Sequence, residues 1–533
     1  MQSTVDGFQL TIEYIFRYGR TMFPNSQVID YSNSTRRKST FREVASESDR
    51  LAAGLRALGV GRGDRVATLG WNTREHLAAY FAIPRIAAVL HTLNLRLSHE
   101  QLKHVINHGH DKIIIVDAGL VSQLETIIDS LTTVEWIIVM GTEEDAVRFG
   151  SRGISYDSVL ATGSDLGELP DVDENSAATL CYTSGTTGLP RGVAYSHRSV
   201  FLHSLASCSG NAFVLNEHDQ ILMLVPMFHA NAWGLPYSGW LVGADLILPG
   251  RNLDPQSLSS IFRQDRPTFT AAVPTLYNDL HRYSVANGVD LSSLRMAVCG
   301  GAAVSSDLVK KYRDVHGVSI VQGWGMTETG PLASLSHPPK GTHPDEDTFW
   351  RIKSGRPIHG VEVRAVDSEG ADLPWDGESV GQIEVRGFWV SNRYYLDDSA
   401  NDPNGWLKTG DVGSIDERGY IQITDRTKDV IKSGGEWISS IALEEALCSH
   451  NAVKEAAVIA VPDSRWDERP LAIVVLEEDS DDVDKHELAS YLRNQVPRWW
   501  VPERWVFASS LPRTSVGKYD KVRLRDEYRT KHL

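Results

Sequence analysis

A chain of 533 residues is too long to fold around one hydrophobic core and should divide into two or more domains. Its formal net charge of −16 argues against a nucleic acid as the main partner, because a polyanion would be repelled. No apolar run approaches the roughly 18 residues that a membrane span needs, and no signal-like segment follows Met1. These features predict a cytoplasmic protein without an integral membrane segment. A small anionic ligand is compatible with them, since a local pocket can oppose the overall charge.

The first part of the chain alternates helical patterns with short apolar runs. An amphipathic pattern at residues 12–18 predicts a core-facing helix, and a second helical pattern at 41–58 ends at Gly59. Apolar runs bounded by polar residues predict buried strands at 64–71, 112–118, 134–141 and 219–229. This alternation is typical of an α/β domain with mostly buried strands.

Residues 182–192 read YTSGTTGLPRG and combine glycines and hydroxyls with one arginine. Such a loop can turn several N–H and hydroxyl donors toward one phosphate. It is not a Walker A loop, because no Gly-Lys-Ser/Thr follows its glycines. The segment 177–181 before it and 192–195 after it both have strand patterns, so a strand and not a helix should follow the loop. The alternative is a surface turn rich in serine and threonine.

Three later motifs suit a nucleotide. CGGAAV at 299–304 follows the predicted strand RMAV and leaves its backbone open to a flat ring. QGWGMTETG at 322–330 offers the plane of Trp324 for stacking and the carboxylate of Glu328 for magnesium. GWLKTGDVG at 405–413 places Asp411 on a turn, where one carboxylate can hold both hydroxyls of a ribose. Taken singly, Trp324 could be a core residue, Glu328 a solvated one and Asp411 an ordinary turn aspartate.

The pattern changes after about residue 355 to short alternating strands and Gly/Asp turns, and a compact unit begins after TDRTKD at 424–429. Its helices at 441–449 and 486–494 and its strands at 456–460 and 470–476 predict an α+β domain of about 100 residues. The predicted fold class is therefore α/β, with a large N-terminal domain of α/β layers, a β-rich subdomain and a small α+β C-terminal domain. We place the domains at 1–425 and 429–533, joined by residues 426–428.

The sequence resembles the adenylate-forming superfamily of acyl-CoA synthetases, adenylation domains and luciferases from about residue 40 to its C-terminus. The resemblance is carried by YTSGTTGLPRG, CGGAAV, GWGMTETG, GWLKTGDVG, DRTKDVIKSGGEWIS and PRTSVGK. YSHRS, PMFHANAWGLPYSGWLVGADLILPG and SGGEWISS make it most similar to medium-chain fatty acyl-CoA ligases and 3-methylmercaptopropionyl-CoA ligases. Two positions depart from the pattern: Arg191 stands where most relatives have lysine, and Phe388 stands where close relatives have proline.

The resemblance implies an ATP-dependent carboxylate–CoA ligase that works through an acyl-adenylate, with ATP, Mg²⁺ and coenzyme A as cofactors or co-substrates. Its catalytic residues would be Lys518, His229, Thr327 and Glu328, with Glu328 also binding the metal. Its ATP and AMP contacts would be Thr183, Ser184, Gly185, Thr186, Thr187, Gly188, Arg191, Gly301, Ala302, Ala303, Gly323, Trp324, Gly325, Met326, Thr327, Asp411, Ile423, Arg426 and Lys518.

The resemblance also implies a mobile C-terminal domain that swings about a hinge at Lys428. The channel for coenzyme A would be lined by Lys432, Gly434, Gly435, Glu436 and Trp437. The acyl pocket would be lined by His229, Trp233, Gly300, Gly325, Met326 and Pro331.

The substrate inference rests on the dipeptide Phe228-His229. Amino-acid-activating relatives have an aspartate beside this phenylalanine, and without it the ammonium group of an amino acid would be buried unpaired. We therefore expect a short- or medium-chain apolar acid, such as a fatty acid or 3-methylthiopropionate. The alternatives are an aryl acid, an adenylating enzyme that loads a carrier protein, and an inactive nucleotide-binding protein. The sequence leaves the oligomeric state open, with a homodimer among the options.

Overall fold

The computed structural model describes residues 1, 4–5, 7–32, 36–163, 166–183, 189–397, 402–434, 436–477, 480, 483–513 and 519–530. The helices in these ranges are α1 (Ile12–Met22), α2 (Phe41–Ala57), α3 (Arg74–Arg85), α4 (His99–Gly109), α5 (Val121–Glu125), α6 (Glu143–Val147), α7 (Tyr156–Thr162), α8 (His197–Cys208), α9 (Leu235–Val242), α10 (Pro255–Asp265), α11 (Pro274–Asn287), α12 (Ser306–Lys311), α13 (Asp347–Arg351), α14 (Ser440–Cys448), α15 (Lys485–Leu492) and α16 (Lys521–Arg529).

The strands of the described residues form four sheets. They are β1 (Gln27–Asp30), β2 (Arg37–Thr40), β3 (Arg65–Leu69), β4 (Val89–Thr92), β5 (Asp111–Asp117), β6 (Trp136–Met140), β7 (Gly153–Ser155), β8 (Ala177–Tyr182), β9 (Gly192–Ser196), β10 (Gln220–Leu222), β11 (Asp245–Leu248), β12 (Phe269–Ala272), β13 (Met296–Gly300), β14 (Ile320–Gly325), β15 (Leu332–Leu335), β16 (Arg356–Pro357), β17 (Val361–Val366), β18 (Gly381–Gly387), β19 (Leu407–Ile415), β20 (Ile421–Arg426), β21 (Ile431–Ser433), β22 (Glu436–Ile438), β23 (Val453–Asp463), β24 (Asp467–Leu476) and β25 (Arg504–Phe507).

Two large, mostly parallel sheets form the N-terminal part. One has the order β16-β15-β14-β13-β12-β10-β11-β1-β2 and the other the order β7-β6-β5-β3-β4-β8-β9. In both, the inner pairs are parallel; antiparallel pairs lie at both edges of the first sheet and at the β8-β9 edge of the second. Inner strands such as β3 and β13 are buried along nearly their whole length, as expected for parallel strands inside an α/β domain. The predicted α/β class is confirmed.

Local sequence signals account for the long helices that cover these sheets. Thr40 caps α2, and the capping box with Glu43 is complete. The buried face of α2 includes Phe41, Val44 and Leu51. The amphipathic pattern at 12–18 forms α1, in which Ile12, Ile15 and Phe16 are buried, so the prediction of a core-facing helix is confirmed. No helix in the described ranges is long and apolar enough to span a bilayer.

The prediction of a strand across 219–229 is wrong beyond its first residues, because β10 ends at Leu222. The side chain of Asn72 explains the early end. Its Nδ2 donates to the carbonyl oxygens of Met223 (2.7 Å) and Val225 (2.9 Å), and its Oδ1 accepts from the N–H of Met227 (2.7 Å). These backbone groups are thus satisfied by one amide side chain and not by a neighbouring strand.

The β-rich region expected after residue 355 is an antiparallel sheet with the order β17-β18-β19-β20. Asp411 of β19 and Arg426 of β20 are register partners in it. This pairing brings together two residues from separate sequence motifs on adjacent strands, where their side chains can meet across the ladder.

The C-terminal part has its own sheet, β22-β21-β24-β23, with β25 paired to β24, and its own apolar core. The two predicted helices and two predicted strands are present as α14, α15, β23 and β24. Contacts join this part to the end of β20: Oδ2 of Asp425 accepts from the N–H of Ser440 at 2.6 Å, and the hydroxyl of Ser439 donates to the carbonyl of Thr424. The placement of the boundary at residues 426–428 stays a prediction.

Candidate active site

The strands β8 and β9, which precede and follow the glycine- and hydroxyl-rich segment, pair as an antiparallel hairpin. The N–H of Thr183 donates to the carbonyl of Arg191 at 2.9 Å, and the N–H of Arg191 donates to Oγ1 of Thr183 at 3.2 Å. These bonds extend the pairing of β8 and β9, so the prediction that a strand follows the loop is confirmed. Ser184, Gly185, Thr186, Thr187 and Gly188 lie outside the described residues.

Trp324, Asp411 and Arg426 form a contiguous cluster. The indole Nε1 of Trp324 donates to Oδ2 of Asp411 at 2.8 Å, and Nε of Arg426 lies 3.0 Å from Oδ1 of the same carboxylate. The Asp411 side chain is 5% exposed, whereas that of Arg426 is 39% exposed. Both oxygens of the buried carboxylate are thus held in place while the guanidinium faces solvent. Ile423 lies three residues before Arg426 on the same strand.

The turn after β14 carries the predicted metal carboxylate. Gly325 allows this turn, because a Cβ at that position would lie only 2.0 Å from the carbonyl oxygen of Pro331. The N–H of Met326 donates to this oxygen at 3.2 Å. Thr327 is buried, and its carbonyl accepts from the hydroxyl of Tyr195 at 2.6 Å. The turn is therefore fixed to the hairpin strand β9.

Tyr394 links this turn to the hairpin loop, and the sequence motifs did not indicate it. Its hydroxyl donates to Oε1 of Glu328 at 2.6 Å. The guanidinium carbon of Arg191 lies over its ring, 3.7 Å from the centroid. Burial, reinforced by the charge of Glu328, raises the pKa of Tyr394, so the phenol keeps the proton that it donates. The signal in the sequence was only the dipeptide Tyr394-Tyr395 in a polar segment.

The glycine motif after β13 borders Trp233. A Cβ on Gly300 would lie 2.8 Å from the carbonyl oxygen of Gly323 and 2.9 Å from Cη2 of Trp233. Gly301 has a φ of +82°, and the buried Gln322 accepts a bond from the N–H of Val304 at 3.0 Å. Gln322 was missed by sequence reasoning, and it shapes the loop that contains Ala302 and Ala303.

A left-handed turn that the sequence did not predict follows His229 and includes Trp233. Ala230, Asn231, Ala232 and Trp233 have φ values of +40°, +47°, +53° and +55°, a region that residues other than glycine rarely adopt. Oδ1 of the buried Asn231 accepts from the thiol of Cys181 on β8. Such strain persists only where the surroundings impose it, and it is concentrated at functional sites.

The predicted channel residues occupy the hairpin of β21 and β22. Lys432 pairs with Trp437 in this hairpin, and both are exposed. The N–H of Gly434 donates to the carbonyl of Trp466 at 2.9 Å, and a Cβ on Gly434 would lie 2.7 Å from the Trp466 ring. Lys428 lies in the turn between β20 and β21. Gly435 and Lys518 lie outside the described residues, as does the side chain of Glu436.

The residues around Glu328 suit a magnesium ion. Its carboxylate and the hydroxyl of the adjacent Thr327 are hard oxygen donors, which Mg²⁺ prefers. Tyr394 engages Oε1 of Glu328, so the second carboxylate oxygen is the one that can face a cation. The two residues belong to one short turn and therefore move together.

Comparison with known proteins identifies the family. The family model described as "AMP-binding enzyme" matches residues 18–395, and the model described as "AMP-binding enzyme C-terminal domain" matches residues 442–518. The chain belongs to the AMP-binding enzyme family. This confirms the resemblance that the sequence motifs carry.

Several curated relatives of this AMP-binding enzyme have similar lengths. It is 43% identical to a long-chain-fatty-acid–CoA ligase of Thermus thermophilus, over 92% of this chain and 90% of that protein. A medium-chain-fatty-acid–CoA ligase of Ectopseudomonas oleovorans is 40% identical, with coverage of 92% and 91%. A 3-methylmercaptopropionyl-CoA ligase of Ruegeria pomeroyi is 42% identical, with coverage of 91% and 91%. The narrower likeness drawn from the motifs is also confirmed.

The solved structure of an anthranilate CoA ligase in complex with anthranoyl-AMP has the same fold. Its TM-score is 0.87 at 25% identity, and the match covers 99% of this chain and 98% of that chain. The superposition spans both the α/β part and the C-terminal part. It confirms the fold class of this AMP-binding enzyme over nearly its full length.

Replacing Asp411 with asparagine in the AMP-binding enzyme should raise the KM for ATP by about 10- to 100-fold, because hydrogen bonds to charged groups contribute about 1.5–3 kcal/mol. The amide keeps the shape of the side chain but loses the charge that pairs with Arg426. Steady-state kinetics with varied ATP measures the effect.

Asp416→Asn is the matched control, since Asp416 pairs with Lys353 at 2.6 Å elsewhere in the same part of the fold. It should lower the unfolding temperature and leave the KM for ATP unchanged. Equal KM values for the two variants would contradict a ribose contact at Asp411.

Proposed function

We propose that the chain is an AMP-forming acid–thiol ligase that converts a carboxylic acid, ATP and coenzyme A to acyl-CoA, AMP and pyrophosphate. The observation that carries the proposal is the Asp411 carboxylate, which is buried and held between Trp324 and Arg426 beside the turn that contains Glu328. This arrangement suits the ribose of a nucleotide whose phosphates extend toward the hairpin loop. The CoA ligases among the relatives support the reaction class.

The first half-reaction activates the acid. A carboxylate is a poor electrophile, and attack on the α-phosphorus brings two anions together, so cations must gather the charge. The hairpin loop with Arg191 would hold the β- and γ-phosphates, and Thr327 would contact the α-phosphate. Glu328 and Thr327 would hold Mg²⁺, which when bound neutralises part of the phosphate charge. Lys518 would bridge the acid and the α-phosphate.

The second half-reaction transfers the acyl group to the thiol of coenzyme A. Lys518 would then have to leave, and the hairpin with Gly434 would have to approach the acyl-adenylate. Gly434 brings its backbone against the Trp466 ring, where a Cβ would lie 2.7 Å from the ring, so this position of the hairpin requires glycine. A rotation at Lys428, in the turn between β20 and β21, would exchange the two arrangements.

The proposed substrate is a short- or medium-chain apolar acid. Phe228 is buried, and His229 follows it where, by the resemblance, amino-acid-activating relatives have an aspartate. The expected lining residues Trp233, Gly300 and Pro331 carry no charge. The names of the fatty-acid and 3-methylmercaptopropionate relatives agree with an aliphatic acid. The anthranilate ligase that shares the fold keeps an aryl acid as the second candidate.

A coupled assay of AMP release tests the proposal. The protein would be incubated with ATP, Mg²⁺ and coenzyme A and with each of about a dozen acids that range from propionate to long-chain, 3-methylthio and benzoate acids. Release that depends on both acid and coenzyme A is expected, with the highest kcat/KM on an aliphatic acid. Release that needs an acyl carrier protein in place of coenzyme A would favour a carrier-loading enzyme. No pyrophosphate formation with any acid would leave only a nucleotide-binding protein.

Lys428→Pro should separate the two half-reactions. Proline fixes φ at about −65° and prevents the rotation of a hinge residue. The variant should exchange labelled pyrophosphate into ATP at a rate near that of the parent, but form thioester at least about a hundredfold more slowly, because productive geometry for the thiol is lost. Retained exchange excludes misfolding as the cause. Normal thioester formation would place the hinge elsewhere and with it the domain boundary.

A further inference from the structure

Tyr394 contacts both Arg191, beside the hairpin loop, and Glu328. The turn that contains Thr327 and Glu328 is called the metal turn below. The ring of Tyr394 lies under the Arg191 guanidinium at 3.7 Å, and its hydroxyl donates to Oε1 of Glu328 at 2.6 Å. Arg191 and Glu328 have opposite charges and come from segments more than a hundred residues apart. One phenol side chain therefore spans the gap between the two charged groups.

Backbone bonds fix the position of Tyr394 relative to both neighbours. The N–H of Ser391 donates to the carbonyl of Glu328 at 2.8 Å, and the N–H of Tyr395 donates to the carbonyl of Gly192 at 2.7 Å. The segment is thus tied to the metal turn before Tyr394 and to strand β9 after it. Because the main chain is anchored on either side, the ring is placed without help from its own hydroxyl.

The hydroxyl acts as a donor toward Glu328. The Tyr394 hydroxyl lies 2.6 Å from Oε1 of Glu328, and an ionised carboxylate oxygen can only accept, so the phenol O–H is the donor. A donor at Oε1 orients the carboxylate and leaves its other oxygen for a cation. Partners that orient a metal ligand in this way commonly change metal affinity by about 10- to 100-fold when they are removed.

The ring acts separately on Arg191. A planar guanidinium stacks on an aromatic face better than an ammonium does, so the arginine at this position, where the resemblance has lysine, fits the tyrosine beneath it. Stacking restrains the guanidinium of Arg191, an exposed residue that directly precedes β9. The charge is thereby kept available to polyphosphate at a smaller loss of side-chain freedom.

We propose that Tyr394 is a positioning residue of the adenylation step, with its hydroxyl setting Glu328 for the metal and its ring setting Arg191 for the phosphates. The inference rests on the proposed function, because it takes Glu328 to be the metal ligand. It predicts two effects that different substitutions separate. Loss of the hydroxyl should weaken the binding of Mg²⁺ alone, and loss of the ring should also weaken the binding of ATP.

The test is calorimetric titration of the whole chain with ATP, first in EDTA and then at a series of MgCl₂ concentrations. Tyr394→Phe should leave the Kd for ATP in EDTA within about twofold, but raise the MgCl₂ concentration for half-maximal enhancement of ATP binding by about tenfold or more. Tyr394→Leu should raise the metal requirement similarly and also weaken ATP binding in EDTA. Tyr395→Phe removes a hydroxyl from the neighbouring residue, whose ring packs edge-on against His108, and should match the parent in both titrations.

Three results would overturn the inference. One is a Tyr394→Phe variant whose Mg²⁺ requirement equals that of the parent. The second is an equal loss of ATP binding in EDTA and in Mg²⁺ for this variant, which would indicate a structural role. The third is the same metal shift in Tyr395→Phe. Pyrophosphate exchange by the parent protein checks the proposed function independently, so a parent that exchanges pyrophosphate while Tyr394→Phe titrates normally refutes only the role of Tyr394.

Discussion

Lys518→Ala should slow acyl-adenylate formation by about 10²- to 10³-fold or more, the range seen when one preorganised charge-stabilising group is removed. In the proposed mechanism this lysine is the cation that bridges the acid and the α-phosphate, and an alanine leaves both anions without it. Pyrophosphate exchange at saturating ATP and acid measures the step. Because the residue is expected to act in adenylation alone, the variant should still form thioester from supplied acyl-adenylate at a rate close to that of the parent.

Arg523→Ala is the matched control for Lys518→Ala. Arg523 is another cation near the C-terminus, but it lies on the surface of α16 and pairs with Glu527 four residues on. Its removal should change neither half-reaction, since exposed pairs of this kind contribute little to stability. Equal losses of Lys518→Ala in both half-reactions would show a structural role for Lys518. Full exchange activity would remove it from the mechanism.

Gly325→Ala should abolish most adenylation, with an expected loss of at least about a hundredfold, because misplacing reacting groups by about 1 Å can cost that much. The new Cβ would lie 2.0 Å from the carbonyl oxygen of Pro331, which is backbone and cannot rotate away. The turn must therefore open, and Thr327 and Glu328 would be displaced with it. Pyrophosphate exchange reports the loss, and circular dichroism shows whether the remainder of the fold is retained.

Gly323→Ala provides the comparison, two residues earlier on the same strand. A Cβ at this position would approach no atom closer than 3.4 Å, an ordinary contact. The expected loss of exchange activity is less than tenfold, since no backbone has to move and the change adds one methyl group at an expected nucleotide contact. Similar losses for the two alanine variants would mean that the close approach at Pro331 does not determine the geometry of the turn.

The candidate site residues that the sequence indicates from local patterns are those carried by short motifs. Two separate motifs predict Trp324 and Asp411 as nucleotide contacts. In the structure, Nε1 of Trp324 lies 2.8 Å from Oδ2 of Asp411. Arg426 came only from the resemblance, and its register with Asp411 on adjacent strands explains the pairing. Helices and parallel strands were also predictable, because their apolar periodicity is local.

What the sequence did not predict depends on contacts between distant segments. Tyr394 lies in no motif, and its proposed role follows only from its distances to Arg191 and Glu328. The side chain of Asn72 ends β10 by binding backbone groups some 150 residues away, which no local pattern could indicate. The left-handed turn that ends at Trp233 begins with residues other than glycine, so its composition carried no warning of positive φ.

Arg426 has a second set of contacts, through its backbone, at the start of the turn that contains Lys428. Its carbonyl oxygen accepts from the N–H groups of Asp429 and Val430, each at 2.8 Å, while its side chain pairs with Asp411. The proposed ribose contact and the turn that contains the proposed hinge therefore share one residue, Arg426. By thermodynamic reciprocity, any preference of AMP for one domain arrangement must equal the preference of that arrangement for AMP. The departure of the nucleotide and the return of the C-terminal domain would then be two expressions of the same free energy.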